Sequence, residues 1–87
     1  ERFMPRAGQI TVTSAGTPVQ GSDVPANDIY IAGHPSNAGN IWVSGVGDAA
    51  KYPVPAGQQV VLNVGNLNAL EFDADTDADI VCWLIYW

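Results

Sequence analysis

The sequence predicts an all-β protein, a small antiparallel β-sandwich (jelly-roll-like or β-barrel-like) with seven or eight short strands and no significant helix. No window shows the i, i+3, i+4, i+7 spacing of apolar residues that marks an amphipathic helix. Nine glycines and six prolines are scattered through the 87 residues and interrupt any helix every few positions. The stretches between them are rich in Val, Ile, Thr, Trp and Tyr, which favour strands.

The first half of the chain contains four predicted strands. They are residues 9–14, a short edge piece at 19–20, residues 28–33 and residues 40–45. In the third of these, Ile29 and Ile31 share one face and Tyr30 lies on the other, because successive side chains of a strand point to opposite faces. Glycine and proline turns separate the four segments, which is typical of a sandwich.

The second half begins with residues 58–64, which follow a predicted type II turn with Gly57 at the position that needs a positive φ. The inward face of this strand consists of Val60, Leu62 and Val64. Residues 70–72 and 80–86 complete strands spaced roughly 8–12 residues apart, as in a sandwich or barrel. The last strand is apolar on both faces. It is either central in its sheet and covered on both sides, or it contributes one face to a subunit contact.

The size of the chain favours assembly with a partner. A chain of this length buries only about 60–65% of its unfolded surface, and such small domains usually need a disulfide, a metal or oligomerisation. Cys82 is the only cysteine and His34 the only histidine, so an internal disulfide and a Cys/His zinc site are both excluded. We therefore expect oligomerisation, or docking on a larger body.

The charge of the chain disfavours nucleic acid and anionic membranes as partners. The net charge is −6, and Arg2, Arg6 and Lys51 are the only basic residues. A surface that binds phosphate needs clustered Lys and Arg. The longest apolar run, residues 80–87, is too short to span a bilayer.

The stretches HPSNAGNIWVSGVG (34–47) and YPVPAGQQVVLNVGNLNALEFDADTDAD (52–79) contain a particular order of pieces. A residue pair precedes PSN-x-GN, a strand ends in V-S-G-x-G, a P-x-P-A-G-Q turn leads into V-x-L-x-V, and N-L-N is followed by D-A-D-T-D. This order resembles a group of small structural proteins of tailed bacteriophages, the capsid decoration or cement proteins and the base of head fibres. The resemblance covers roughly residues 9–87 and contains no catalytic signature.

The resemblance implies a virion structural protein on the outer surface of the capsid. Such a subunit binds the major capsid protein and stabilises the head by bridging capsomers. It implies a homo-oligomer, with a trimer favoured over a dimer, and no cofactor. The alternative is a carbohydrate- or host-surface-binding β-sandwich module of a phage fibre or tail.

The domain organisation that follows is an N-terminal arm, residues 1–8, and a single β-sandwich, residues 9–87. The arm has no strand pattern and is either a loosely packed tail or a segment that reaches a neighbouring subunit or the capsid. In the second case Arg2, Phe3 and Arg6 form the capsid contact. The C-terminal aromatics Trp83, Tyr86 and Trp87 are the predicted subunit interface.

Alternate aspartates in D-A-D-T-D-A-D form the main cluster of charge: Asp73, Asp75, Asp77 and Asp79. They are weak candidates for a Ca²⁺ or Mg²⁺ site. The spacing is not that of an EF-hand, because the positions that require Gly and a bidentate Glu are Ala78 and Leu84. The favoured interpretation is a polar turn between two strands, with the Asp side chains accepting hydrogen bonds from backbone N–H groups.

We expect no enzymatic activity. His34 precedes Pro35, which favours an extended residue at a turn, and no serine lies in a Gly-x-Ser-x-Gly elbow. Cys82 lies in an apolar run and is expected to be a buried, inert thiol.

The aromatic residues have three possible roles, namely core packing, a protein interface and a platform for sugars. Aromatic side chains are enriched in cores and in interfaces. The glycan-binding alternative predicts that several of Trp42, Tyr52 and Trp87 are exposed on one flat face.

Overall fold

A computed structural model describes residues 6–48 and 51–86, apart from the side chain of Tyr86. Within these ranges the chain forms eight strands and a short 3-10 helix, Leu67–Ala69. The strands are Arg6–Val12 (β1), Val19–Gln20 (β2), Asp28–Gly33 (β3), Ile41–Gly45 (β4), Tyr52–Val54 (β5), Gln59–Asn63 (β6), Leu70–Ala74 (β7) and Asp79–Tyr86 (β8). The predicted all-β fold is confirmed.

The strands form two four-stranded antiparallel sheets. Sheet A has the order β1-β8-β3-β6 and sheet B the order β2-β7-β4-β5. The first strand pairs with the eighth, the second with the seventh, the third with the sixth and the fourth with the fifth, as in one long hairpin wound into two sheets. This arrangement is a jelly roll. Of the two forms that the sequence predicted, the chain adopts the jelly-roll-like one.

The core lies between the two sheets and follows from the alternation of side chains along each strand. Ile29 and Ile31 of β3 and Phe72 of β7 are fully buried, while the residues between them face outward. The predicted inward residues Val60, Leu62 and Val64 are partly buried against this core. Burying a side chain of this size contributes roughly 1.5–3 kcal/mol.

Two elements differ from the sequence-based prediction. Strand β1 begins at Arg6, so residues 6–8 of the predicted arm are part of sheet A, where they pair with the end of β8. Residues 1–5 of the arm lie outside the described residues. Strand β5 is not among the strands that the sequence predicts. It contains Pro53, which a sheet tolerates at this position because β5 lies at the edge of sheet B.

The predicted type II turn before β6 is present in the structure. Gly57 has φ +80°, and the Gln58 N–H donates to the Pro55 carbonyl at 3.0 Å, as the predicted turn requires. None of the described segments is a helix long and apolar enough to cross a membrane.

Candidate functional site

The four alternating aspartates lie in the turn between β7 and β8 and at the adjoining ends of these strands. They accept hydrogen bonds from two other loops of the chain. Asp73 and Asp77 face the loop after β1. The Ala15 N–H donates to Asp77 Oδ1 at 2.7 Å, and the Gly16 N–H donates to Asp73 Oδ1 at 2.8 Å. These two hydrogen bonds fix the loop between β1 and β2 to the region of the β7–β8 turn.

The other two aspartates face the loop between β3 and β4. Asp79, which is only 7% exposed, accepts hydrogen bonds from the N–H groups of Ala38 (3.2 Å) and Gly39 (3.0 Å). Asp75 accepts from the Asn40 N–H at 3.2 Å and from Trp42 Nε1 at 2.8 Å. We call the four aspartates the carboxylate latch, because each one holds a backbone segment distant in sequence.

Asn37 adds a second connection between the β3–β4 loop and β8. Its Nδ2 donates to the Ile80 carbonyl and its Oδ1 accepts from the Ile80 N–H, both at 2.8 Å. The amide therefore continues the hydrogen bonding of β8 one residue past Val81, where its pairing with β3 ends. Sequence analysis did not assign this role to Asn37, because no local pattern connects it with a residue 43 positions away.

His34 is a turn residue, as predicted. Its carbonyl accepts from the Asn37 N–H at 2.9 Å, and its Nδ1 lies 2.8 Å from Ser36 Oγ. Pro35 occupies the second position of this turn, which its fixed φ suits.

The interpretation of the aspartates as turn formers is confirmed by these contacts. Both carboxylate oxygens of Asp75 and Asp79, and one oxygen each of Asp73 and Asp77, accept N–H donors. Within the part of the chain that the structure describes, no group of three or more His, Cys, Asp or Glu side chains is placed to hold a metal.

The predicted subunit-interface residue Trp83 instead packs within the chain's own core. It is 9% exposed, and Val81 and Ile85 lie on the same inward face of β8. A Cβ placed on Gly8 of β1 would overlap Trp83 Cζ2 and lie 2.6 Å from Cε2, so the indole covers that glycine. The alternation along β8 explains the correction, because it places Leu84 rather than Trp83 on the outside.

The other predicted contact residues lie largely outside what the structure describes. Arg6 is exposed at the start of β1 on the edge of sheet A. Arg2, Phe3, Trp87 and the side chain of Tyr86 are not among the described parts of the chain. Their predicted roles stay predictions.

The outer face of sheet A consists of rows of residues in register across the four strands. One central row contains Gln9, Cys82, Ala32 and Gln59, and the next contains Ala7, Leu84, Tyr30 and Val61. These rows contain no charged residue. All of these residues except Val61 line a shallow groove of about 490 Å³. The rows include two of the large apolar side chains that the structure leaves exposed, Leu84 (41%) and Val61 (51%).

Cys82 lies half-buried in this groove and not in the core. The prediction of a fully buried thiol is therefore wrong. Position 82 falls between the inward-facing Val81 and Trp83, so alternation places it on the outer face.

The outer face of sheet B differs in charge. Glu71 and Asp73 of β7 point outward between the buried Leu70, Phe72 and Ala74. Lys51 Nζ lies 3.9 Å from Glu71 Oε1, which is a weak contact. The two broad faces of the sandwich are therefore unlike: the central rows of sheet A carry no charge, whereas the outer face of sheet B is acidic.

Trp42 and Tyr52 do not form a common aromatic face. Tyr52 pairs directly with Val43, which points inward, whereas Trp42 pairs with Pro53 on the opposite side of the sheet. Tyr52 is 60% exposed because β5 lies at the sheet edge. The arrangement predicted for a flat sugar-binding platform is absent for this pair.

Comparison with solved structures finds a chain with a similar fold. No protein-family model matches the chain, and no curated protein is similar enough in sequence to count as a match. The fold is similar to that of a chain solved in work on Bacillus endospore appendages, which form a family of disulfide-linked pili, with a TM-score of 0.51. The match covers 98% of this chain and 87% of that one at 16% identity. At this level of identity the similarity shows a shared fold and nothing more.

Proposed function

We propose that this chain is a structural protein of a phage virion, a decoration or cement subunit that binds the outer surface of the head and bridges capsomers. The observation that carries the proposal is the outer face of sheet A, whose central rows carry no charge in an otherwise acidic chain. Its centre is β8, a strand with a neighbour on each side, which exposes Leu84 to solvent. Exposed apolar patches of this kind mark protein contacts.

The jelly roll is suited to such a role because its loops are fixed. The carboxylate latch and Asn37 tie both connecting loops at one end to β7 and β8. A rigid subunit loses little conformational entropy on binding, which favours association. Bridging then requires only modest contacts to each capsomer, because several linked contacts strengthen one another.

The contact with the capsid is assigned to the N-terminal arm, through Arg2, Phe3 and Arg6. Arg6 is exposed at the edge of sheet A, which leaves its guanidinium free to meet acidic groups on the capsid. The acidic outer face of sheet B would face solvent, where like charge on neighbouring particles opposes their association.

A second candidate, a subunit of a surface appendage, is favoured by the fold similarity to the endospore appendage chain. Glycan binding gains no comparable support, since Trp42 and Tyr52 lie on opposite sides of sheet B.

The first experiment is to measure the copy number of this protein in purified phage particles by quantitative mass spectrometry against the major capsid protein. We expect a ratio near one or a simple fraction of one, because a decoration protein follows the capsid lattice. A handful of copies per particle would indicate a fibre or tail component instead. Absence from the particles would contradict the virion role.

The capsid contact is tested by a pair of substitutions in basic residues, Arg6→Ser and Lys51→Ser. We expect Arg6→Ser to lower binding to undecorated heads by up to about five-fold, because an exposed ion pair contributes about 0.2–1 kcal/mol. Lys51 already lies beside Glu71, so Lys51→Ser should leave binding unchanged. Equal binding of both variants and the unmodified protein, in a co-sedimentation assay, would contradict the assignment of Arg6.

A further inference from the structure

We infer that the outer face of sheet A binds the same face of a second copy of this chain, forming a two-fold dimer of back-to-back sandwiches. The inference goes beyond the proposed function and takes up the sequence-based expectation that the chain forms a homo-oligomer. It chooses between the two alternatives for the last strand: β8 has a neighbour on each side, yet Leu84 on its outer face is 41% exposed.

The distribution of charge allows a second copy of this chain to occupy the face. Each copy has a net charge of −6, so two copies repel wherever their carboxylates meet. The outer face of sheet B presents Glu71 and Asp73. On the outer face of sheet A, Asp28 lies at one end, where its Oδ1 accepts from Asn63 Nδ2 at 2.9 Å, and His34 lies beyond the other end of β3. Between them the central rows are free of charge, so a like-charged copy can dock there without burying carboxylates.

The shape of the face suits pairing with itself. Ala7, Ala32 and Cys82 are small residues of the groove, and Tyr30 and Leu84 are large ones. Val61, which is 51% exposed, lies at the end of the row that contains Leu84. An antiparallel approach of two such faces places the larger side chains of one copy over the small ones of the other, as facing sheets interdigitate in a sandwich. The half-exposed Leu84 would then become buried on both copies.

The area of the face sets the expected strength. Four strands about 4.8 Å apart and five residues long give a face of about 350 Å² in projection. Pairing two such faces, with their side chains interdigitated, removes on the order of 1,000 Å² from solvent, which is the lower end for a specific interface. We therefore expect a reversible dimer with a Kd of roughly 10–100 µM.

The symmetry follows from the shape of the contact. One flat face stacked on an identical face forms a closed two-fold pair. The trimer predicted from the sequence would require a different contact, so the oligomeric state separates the two assemblies.

The test is sedimentation equilibrium of the unmodified protein and two matched variants over about 1 µM to 1 mM protein, a range that brackets the expected Kd. Val61 and Val46 are both 51% exposed, but only Val61 lies on the outer face of sheet A. We expect the unmodified protein and Val46→Lys to dimerise alike, and Val61→Lys to weaken the dimer at least ten-fold. Leu84→Lys should abolish it, provided that circular dichroism shows a folded chain.

The alkylation rate of Cys82, the sole cysteine, provides a second measure of whether the centre of the face is buried in a dimer. Cys82 is half-buried in the groove, so alkylation by iodoacetamide should slow as protein concentration rises through the Kd. A monomer at all concentrations, a trimer, equal effects of Val61→Lys and Val46→Lys, or an alkylation rate independent of concentration would each overturn the inference. A dimer formed by a protein absent from phage particles would uphold the contact and contradict only the virion role.

Discussion

Aspartates of the same turn differ in how much of the structure depends on them. Asp79 is buried and accepts two backbone N–H groups, whereas Asp77 is exposed and has a single such contact, to Ala15. Hydrogen bonds to a charged group contribute more than neutral ones, and donors left unpaired in a buried site add a further penalty. The two residues therefore form a matched pair for measuring the latch.

We expect Asp79→Ala to lower the free energy of unfolding by about 2–3 kcal/mol and Asp77→Ala by about 1 kcal/mol or less. Both substitutions remove one negative charge, so a general change in net charge affects them equally. Urea denaturation with linear extrapolation measures the difference. If Asp79→Ala does not fold, Asp79→Asn replaces it in the comparison. Because asparagine keeps one acceptor oxygen, we expect Asp79→Asn to lower the free energy of unfolding by less than Asp79→Ala. Equal losses for the two alanine variants would contradict the different roles.

At this scale the sequence predicted the kind of contact but not the partners. The alternation of Asp with small residues indicates a turn that accepts backbone N–H groups, and it does so. The groups that donate to Asp77 and Asp79 are 62 and 40 residues away. No local pattern contains that information, because it depends on how the jelly roll brings loops together.

At the scale of elements, the sequence predicts strands whose apolar residues alternate, but it does not predict segments that are strands only because a neighbouring strand offers them backbone partners. The bounds of β3 agree with the prediction to the residue, since Ile29 and Ile31 alternate with less apolar residues. The start of β1 reads Arg-Ala-Gly and has no such pattern. It is a strand because β8 is eight residues long and offers backbone partners as far as Ile85.

The pairing of β1 with β8 predicts a sharp difference between two glycines. A methyl group at Gly8 would overlap the Trp83 ring, so Gly8→Ala should displace the indole and cost about 1–3 kcal/mol. Gly65 has nothing within 4 Å of an added Cβ and no positive φ. Gly65→Ala should therefore be neutral or stabilise the protein by up to about 1 kcal/mol.

Thermal unfolding and near-ultraviolet circular dichroism measure these two effects, since the dichroism reports on the surroundings of the indole. The Gly8→Ala spectrum should change where that of Gly65→Ala does not. If Gly8→Ala kept both the stability and the spectrum of the unmodified protein, β1 would not pack against Trp83 as described.

At the scale of the whole molecule, the two faces of the sandwich matter more than any single residue. Composition alone indicated a small acidic domain with apolar surface to share. It could not assign the surface to one face, because that depends on strand order. Only when β8 lies between β1 and β3 do Leu84, Tyr30 and Val61 fall into one row, while Glu71 and Asp73 fall on the other sheet.

Segregation of charge from the contact face predicts how salt acts on the dimer. The molecule is 18 Å across its shortest dimension, so at about 0.01 M salt, where charges are felt over roughly 30 Å, the carboxylates of two docked copies repel through the interface. At about 0.15 M the screening distance falls to roughly 8 Å and the repulsion fades. We therefore expect the Kd to fall several-fold between these conditions in sedimentation experiments, with Val46→Lys following the same trend. A dimer held by ion pairs would weaken as salt is added, and that result would place the contact on a charged surface instead of the outer face of sheet A.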